Sequence, residues 1–318
     1  MSKFSPVASI YLQSMLSPRR LMHIWLLAAS IMPLLFACQE RNATTQAERL
    51  KSLTAEMLDL DSGVWYASHM VAFSPSPQVA LSLMADTALP FEAELIWTTD
   101  AKEIGNDAPA SSFGLGAVSA DFMYCAYYGE KQVCGDLLRT LGSVAETLGL
   151  VATLTPGQLD SLRTQWGSTQ GPPPRLAPLL LRASQQLCDR GHPELYAIMS
   201  TAGWLESTRL LANLAYMHPN PRLRRLVAEQ RFTLKGILEL LAGYVYRVPL
   251  AAKLYAQLSA LNELYLGVQI AYDYAPSEVD TAAHLTTLHG TMRIAMSTQQ
   301  LQAIVQQLNG IMDGERSS

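Results

Sequence analysis

Along the second half of the chain, apolar residues return every three or four positions. In "YAQLSALNELYLGVQIAY" they are Leu254, Leu258, Leu261, Tyr265, Val268 and Tyr272. That spacing winds onto one face of an α-helix. "LQAIVQQLNGIM" repeats it with Leu301, Ile304, Val305, Leu308 and Ile311. "DLLRTLGSVAETLGL" is helical up to Gly149, a stop signal. "TPGQLDSLRTQW" opens with Thr155 as a cap and Pro156 in the first turn. "STQGPPPRLAP" is a rigid, helix-free connector. "HPELYAI" and "HPNPRLRR" are further breaks, each with a helix starting beside its proline. Period-two runs are scarce; "EAELIW" (92–97) is the best strand candidate, and it is short. No repeat of fixed period recurs. The pattern predicts an all-α fold, an irregular array of roughly ten helices without a substantial sheet, forming a single domain over 61–318.

One apolar run stands apart. Arg19 and Arg20 precede "LMHIWLLAASIMPLLFA", residues 21–37, and Cys38 follows. A basic flank, an apolar stretch and a small residue before a break form a signal-peptide pattern. The stretch is at the short end of what spans a bilayer as a helix, and Pro33 disturbs a permanent spanning helix. Leu35, Phe36, Ala37 and Cys38 resemble the lipobox of bacterial lipoproteins. That resemblance implies removal of residues 1–37, a diacylglycerol on the Cys38 thiol and acylation (palmitate or similar) of the new amino terminus. Several chains on one cysteine hold a protein stably at a membrane. In such lipoproteins an Asp after the cysteine favours the inner membrane, so Gln39 points to the outer one. An uncleaved inner-membrane anchor is the competing reading. Residues 38–60 then form the lipidated cysteine and a polar tether leading into the first helix. The flank before the apolar run is long, which leaves Met1, Met15 and Met22 as alternative starts.

Removing residues 1–37 takes away three basic residues and no acid, leaving 20 basic against 27 acidic and a formal charge of −7. That balance excludes a general nucleic-acid surface. Cys125, Cys134 and Cys188 remain, and an odd count leaves at least one thiol unpaired in an exported chain. On a single helix over 118–134, Cys125 and Cys134 would stand about 13.5 Å apart on opposite faces. A disulfide spans no more than roughly 7 Å between Cα atoms. The two can pair only if Gly129 breaks the helix and folds it back, so buried free thiols are the expectation. There is no C-x-x-C, His-Glu-x-x-His, P-loop, G-x-S-x-G or dinucleotide fingerprint. His284 and His289 are poorly spaced for shared ligation, and His192 and His218 each precede a proline. No metal and no cofactor are expected.

Candidate chemistry sits on three stretches. Asp121, Tyr124, Cys125 and Tyr128 share one helix face, with Tyr127 nearby. An acid among phenols binds a polar ligand or does acid–base work. Alternatively it is a capping or buried, hydrogen-bonded Asp with aromatic packing. The stretch 193–217 is apolar almost all round and therefore buried, yet Glu206, Arg209 and Asn213 form one polar stripe beside Trp204. The stripe either lines a cleft or is an intrahelical ion pair at the domain surface. Together Asp121, Tyr124, Tyr128, Trp204, Glu206 and Arg209 make a candidate pocket, with both helix faces expected to line one shared cavity. In "RLRRLVAEQRFTLK", Arg222, Arg224, Arg225, Arg231 and Lys235 face only Glu229. Of these, Arg224, Arg231 and Lys235 lie near one face, suited to phosphate headgroups or an anionic partner, or simply solvated.

"FGLGAVSADFMYCAYYGEKQ", "LRTLGSVAETLGL" and "IMSTAGWLESTRLLANLA" resemble a family of uncharacterised helical envelope lipoproteins from Bacteroidetes and related bacteria. The resemblance covers roughly 75–265 and is most recognisable at Gly116–Tyr124 and Gly203–Glu206. It implies an all-α, exported protein and brings no activity with it. The functional expectation is a lipid-anchored envelope protein, held to the membrane through Cys38, that binds a small ligand or a protein partner and no nucleic acid. The alternative is an envelope hydrolase using Asp121 and Glu206 as a carboxylate pair.

Overall fold

A computed structural model describes residues 89–166, 176–274, 276–280, 285–287 and 290–316. Cys38, the signal stretch, the tether, residues 168–175 of the proline connector, His284 and His289 lie outside the described residues; the connector's last three residues, Leu176, Ala177 and Pro178, are not helix-free but form the first turn of a helix. Eight α-helices carry most of what is described: α1 (Ala108–Tyr128), α2 (Lys131–Thr147), α3 (Pro156–Trp166), α4 (Leu176–Asp189), α5 (Pro193–Met217), α6 (Pro221–Ala242), α7 (Pro249–Leu266) and α8 (Thr298–Arg316).

Local chemistry sets their ends. Asp107 caps α1 by accepting from the Ala110 N–H at 2.7 Å. Gly129, at φ 74°, ends it in the left-handed conformation that side chains disfavour. Thr155 and Gln158 exchange hydrogen bonds across the start of α3 as a capping box. Pro193, Pro221 and Pro249 occupy the first turns of α5, α6 and α7, where no intrahelical partner awaits their missing N–H.

Helix α5 is the hub of the described helices. It packs against α1, α4, α6, α7 and α8, and nearly every residue from Leu195 to Ala215 is buried. A helix apolar on all sides has to be surrounded. Its closest neighbour is α1, and there the two backbones touch. A Cβ on Gly116 would lie 2.0 Å from the Met199 carbonyl oxygen and 2.9 Å from the Gly203 nitrogen. Only glycine fits at that crossing. Ser112 adds a 2.6 Å hydrogen bond from its Oγ to the Leu195 carbonyl.

Residues 89–107 run as a strap over this helix pair, with 3-10 turns at Ala93–Leu95 and Ala101–Glu103. Trp97 pins the strap. Its indole N–H donates to the Met312 carbonyl of α8 at 3.0 Å, and its ring meets Phe113 edge-on at 5.7 Å between centroids. Between α7 and α8 the chain leaves the helices as an antiparallel ribbon. There β1 (Gln269–Tyr274) pairs with β4 (Gly290–Ala295), and β2 (Glu278–Asp280) pairs with β3 (Leu285–Thr287).

The fold is thus mostly helical with two two-stranded sheets, and its eight helices among the described residues fall short of the roughly ten expected from periodicity. Two local expectations change. "EAELIW" is a 3-10 turn within the strap: the Leu95 and Ile96 N–H groups donate back to the Glu92 and Ala93 carbonyls, and those of Glu92 and Trp97 go to side chains and not to a neighbouring strand. The apolar face of 254–272 does not belong to one helix: α7 stops at Leu266, and Tyr272 lies on β1, 68% exposed. Val268 and Tyr272 are four residues apart, a spacing that satisfies a strand's period of two as well as a helix's period of 3.6. Sequence spacing alone therefore extends the helix past its end at Gly267.

Candidate functional site

Asp121 lies five residues beyond Gly116 on α1, and Glu206 lies three beyond Gly203 on α5. The glycine crossing brings their carboxyl groups into hydrogen-bonding contact. Both residues are 0% exposed. Arg209, one turn along α5, donates to both Glu206 oxygens, Nε to Oε2 at 2.7 Å and Nη2 to Oε1 at 2.6 Å. The same Nη2 also donates to the Leu95 carbonyl of the strap. Asp121 Oδ2 accepts from the Trp97 backbone N–H at 3.0 Å. Asp121 Oδ1 is buried with no donor facing it.

Burial holds the Asp121 pKa well above the usual carboxylate range, and the charge of Glu206 and the hydrogen bond with it push the same way. Arg209 and the Trp97 N–H offset this only in part. With a proton on Asp121 the acid would donate to Glu206, while Arg209 holds both Glu206 oxygens. Burial by itself would lower the Arg209 pKa, but Glu206, with help from Asp121 and Asp313, raises it above its ordinary value. Asn213 continues the polar stripe into α8 through a reciprocal amide pair with Asn309, at 2.9 and 3.2 Å.

This arrangement ties two backbone groups of the strap, the Trp97 N–H and the Leu95 carbonyl, to charged side chains on α1 and α5. Glu206 and Arg209 are the intrahelical pair anticipated from their spacing, but they sit in the core and not at the surface. Asp121 is a buried, hydrogen-bonded acid and not a cap, since Asp107 caps α1.

The other candidate residues lie elsewhere. The Tyr124 hydroxyl accepts from the Glu92 N–H at 2.9 Å, and the rings of Phe91, Tyr124 and Tyr128 cluster with centroids 5.1 to 5.6 Å apart. Burial pushes both phenols up. Trp204 turns toward α6, its Nε1 donating to Gln230 at 3.0 Å. The six candidates therefore do not line one shared cavity but occupy three places: Asp121, Glu206 and Arg209 in one, Tyr124 and Tyr128 in another, and Trp204 by itself.

The basic helix α6 does something its sequence did not signal. Arg224 donates to the Met296 carbonyl at 3.3 Å, and Arg231 donates to the Val268 carbonyl at 3.2 Å. Those carbonyls are the two roots of the ribbon. Lys235 stays exposed and pairs with Glu239 at 3.9 Å. A cavity of about 690 Å³ lies beside these roots, lined by Asn220, Arg224, Arg225, Gly267, Ile294 and Met296 among others. It is built from three segments far apart in sequence, which is why spacing could not reveal it. A second cavity, of about 350 Å³, lies among Pro109, Leu148, Leu187, Arg190, His192 and Val248.

Among the described residues no three His, Cys, Asp or Glu side chains are placed to share a metal ion. No described helix is long and apolar enough to cross a membrane. Comparison with protein-family models, with curated proteins and with solved structures finds no match to this chain.

Proposed function

We propose that this chain is a lipid-anchored helical protein of the bacterial envelope, held at the outer membrane through Cys38 after loss of residues 1–37, and that it acts by binding a protein partner. The ribbon is the observation that supports binding. Tyr272, Tyr274, Val279 and Leu285 stand 58 to 85% exposed on it. Among the described residues β1 and β4 pair only with each other, so each has an outer edge of unpaired backbone groups. An extended peptide adds to such an edge as a further strand. By sequence, residues 269–295 hold three acids, Asp273, Glu278 and Asp280, and one arginine, Arg293, which is ion-paired with Asp273. The partner that fits is an extended, basic segment of another envelope protein; anionic headgroups would be repelled. Hydrolysis is disfavoured by the site that suggested it, because a substrate must reach both carboxyl groups and both are fully buried.

Two experiments test the two halves of this reading. A photo-crosslinking residue at Tyr274 of the full chain, expressed in a bacterial envelope, is expected to capture another envelope protein through a basic peptide. Crosslinks to lipid alone, or none, overturn the binding half. Cys38→Ala is expected to abolish lipid incorporation and release the chain from sedimented membranes; unchanged sedimentation overturns the anchor.

A further inference from the structure

The α1–α2 corner places two thiols together. Gly129 turns the chain in the left-handed conformation, ending α1 at Tyr128 so that α2 can begin at Lys131. The Glu130 peptide bridges the two sides. Its N–H donates to the Cys125 carbonyl at 3.1 Å, and its carbonyl accepts from the Cys134 N–H at 3.0 Å. Cys125 and Cys134 are both free thiols, both 0% exposed, and stand on the two sides of that bridge, near enough for each to act on the other. The straight helix that would have held them apart is absent. Cys188, on α4, is only half-buried and unpaired.

We propose that Cys125 and Cys134 are a disulfide site, joined across the α1–α2 corner in the exported chain, with Cys188 remaining a thiol. The site rests on the exported reading above, since disulfides persist where the compartment is oxidising. The oxidant is a small-molecule or protein disulfide. One cysteine thiolate attacks it and expels one thiolate of the oxidant, forming a mixed disulfide. The second cysteine thiolate then attacks the protein sulfur of that bond and expels the other thiolate. Two electrons pass to the oxidant, which leaves as two thiols, and the two cysteine protons end on those leaving groups. The hydrogen bond with Cys134, and then burial, push the Cys125 thiol up. A buried, protonated thiol is a poor nucleophile, so the exchange belongs to the folding chain, before the corner is covered.

The test starts from the purified full chain, unfolded and reduced, then refolded in reduced and oxidised glutathione. Trypsin cuts after Lys102, Lys131 and Arg139, which puts the two cysteines on separate peptides, 103–131 and 132–139. The expected product under non-reducing conditions is that pair joined, lighter by two hydrogens than the two thiol peptides together. Cys188→Ser keeps the joined pair, and Cys134→Ser loses it. Reduction of the joined chain lowers its thermal midpoint by about 5–10 °C. Both peptides recovered as thiols, or either joined to Cys38 or Cys188, overturn the site. The same digest on chain taken from expressing cells separates the two claims. A pair that joins on refolding but is reduced in cells unseats the exported reading and leaves the corner's chemistry standing.

Discussion

Arginines hold a neighbouring segment by its backbone carbonyl in two regions of this molecule. In the core, Arg209 takes the Leu95 carbonyl of the strap while gripping both oxygens of Glu206. At the surface, Arg224 and Arg231 take the Met296 and Val268 carbonyls at the ribbon's roots. The bonding chemistry is the same and the surroundings are opposite. A guanidinium that is 8% exposed has no water to fall back on, so its carboxylate partner is indispensable. Arginines in reach of solvent exchange one hydrogen bond for another at little cost. The strap is therefore fixed as part of the core, whereas the ribbon's roots are held by bonds that solvent can replace.

The largest effect expected on this contrast comes from Glu206→Gln. It leaves Arg209 buried without its carboxylate and costs about 3–5 kcal/mol of stability, measured by urea unfolding. A loss no larger than that from a surface arginine would erase the difference between the two regions.

Asp121→Asn sharpens the contrast through pH. The folded-state pKa of Asp121 is raised, so the folded chain keeps a proton that the unfolded chain releases above about pH 4. Its contribution is full below that pH. It falls as pH rises toward the folded pKa, by up to about 1.4 kcal/mol per pH unit. The amide cannot lose a proton and donates the same hydrogen bond to Glu206. Its stability is expected to stay level across that window and to overtake the parent chain as pH rises. Unfolding curves between pH 4 and pH 8 check it, and parallel curves for the two chains would show that Asp121 is ionised in the fold.

The smallest effect is expected from Arg231→Ala, at less than about 1 kcal/mol of global stability. Amide hydrogen exchange is the sensitive measurement there. Exchange in β1 speeds up while α5 stays protected. Faster exchange throughout α5 would mean that the ribbon's roots belong to the core after all.

Much of the helical body was legible because amphipathic spacing and proline starts are local signals. Leu301, Ile304, Val305, Leu308 and Ile311 are buried on α8 as their spacing requires, and the helix around Trp204 is enclosed as its composition requires. The strap was not legible, because what holds it is remote: a tryptophan bonded to a residue more than two hundred positions away has no local trace. The ribbon was hidden by a coincidence of periods at Val268 and Tyr272. Of the candidate site, a cavity shared by the faces of Asp121 and Glu206 was expected from acids embedded in apolar helices. Their close approach and complete enclosure were not, since both depend on Gly116 and Gly203 meeting, and two glycines eighty-seven positions apart give no sign of contact.

That glycine crossing also gives the chain a recognisable imprint. An inserted residue between Gly116 and Asp121 would rotate the acid by about 100° around α1 and carry it away from Glu206. The same holds for the steps from Gly203 to Glu206 and from Glu206 to Arg209. A glycine five before an aspartate on one helix, and a glycine, a glutamate and an arginine at steps of three on another, form a single mechanical unit. Descendants of a common ancestor can exchange almost every other side chain and still be identified by those intervals, where overall similarity has faded below detection.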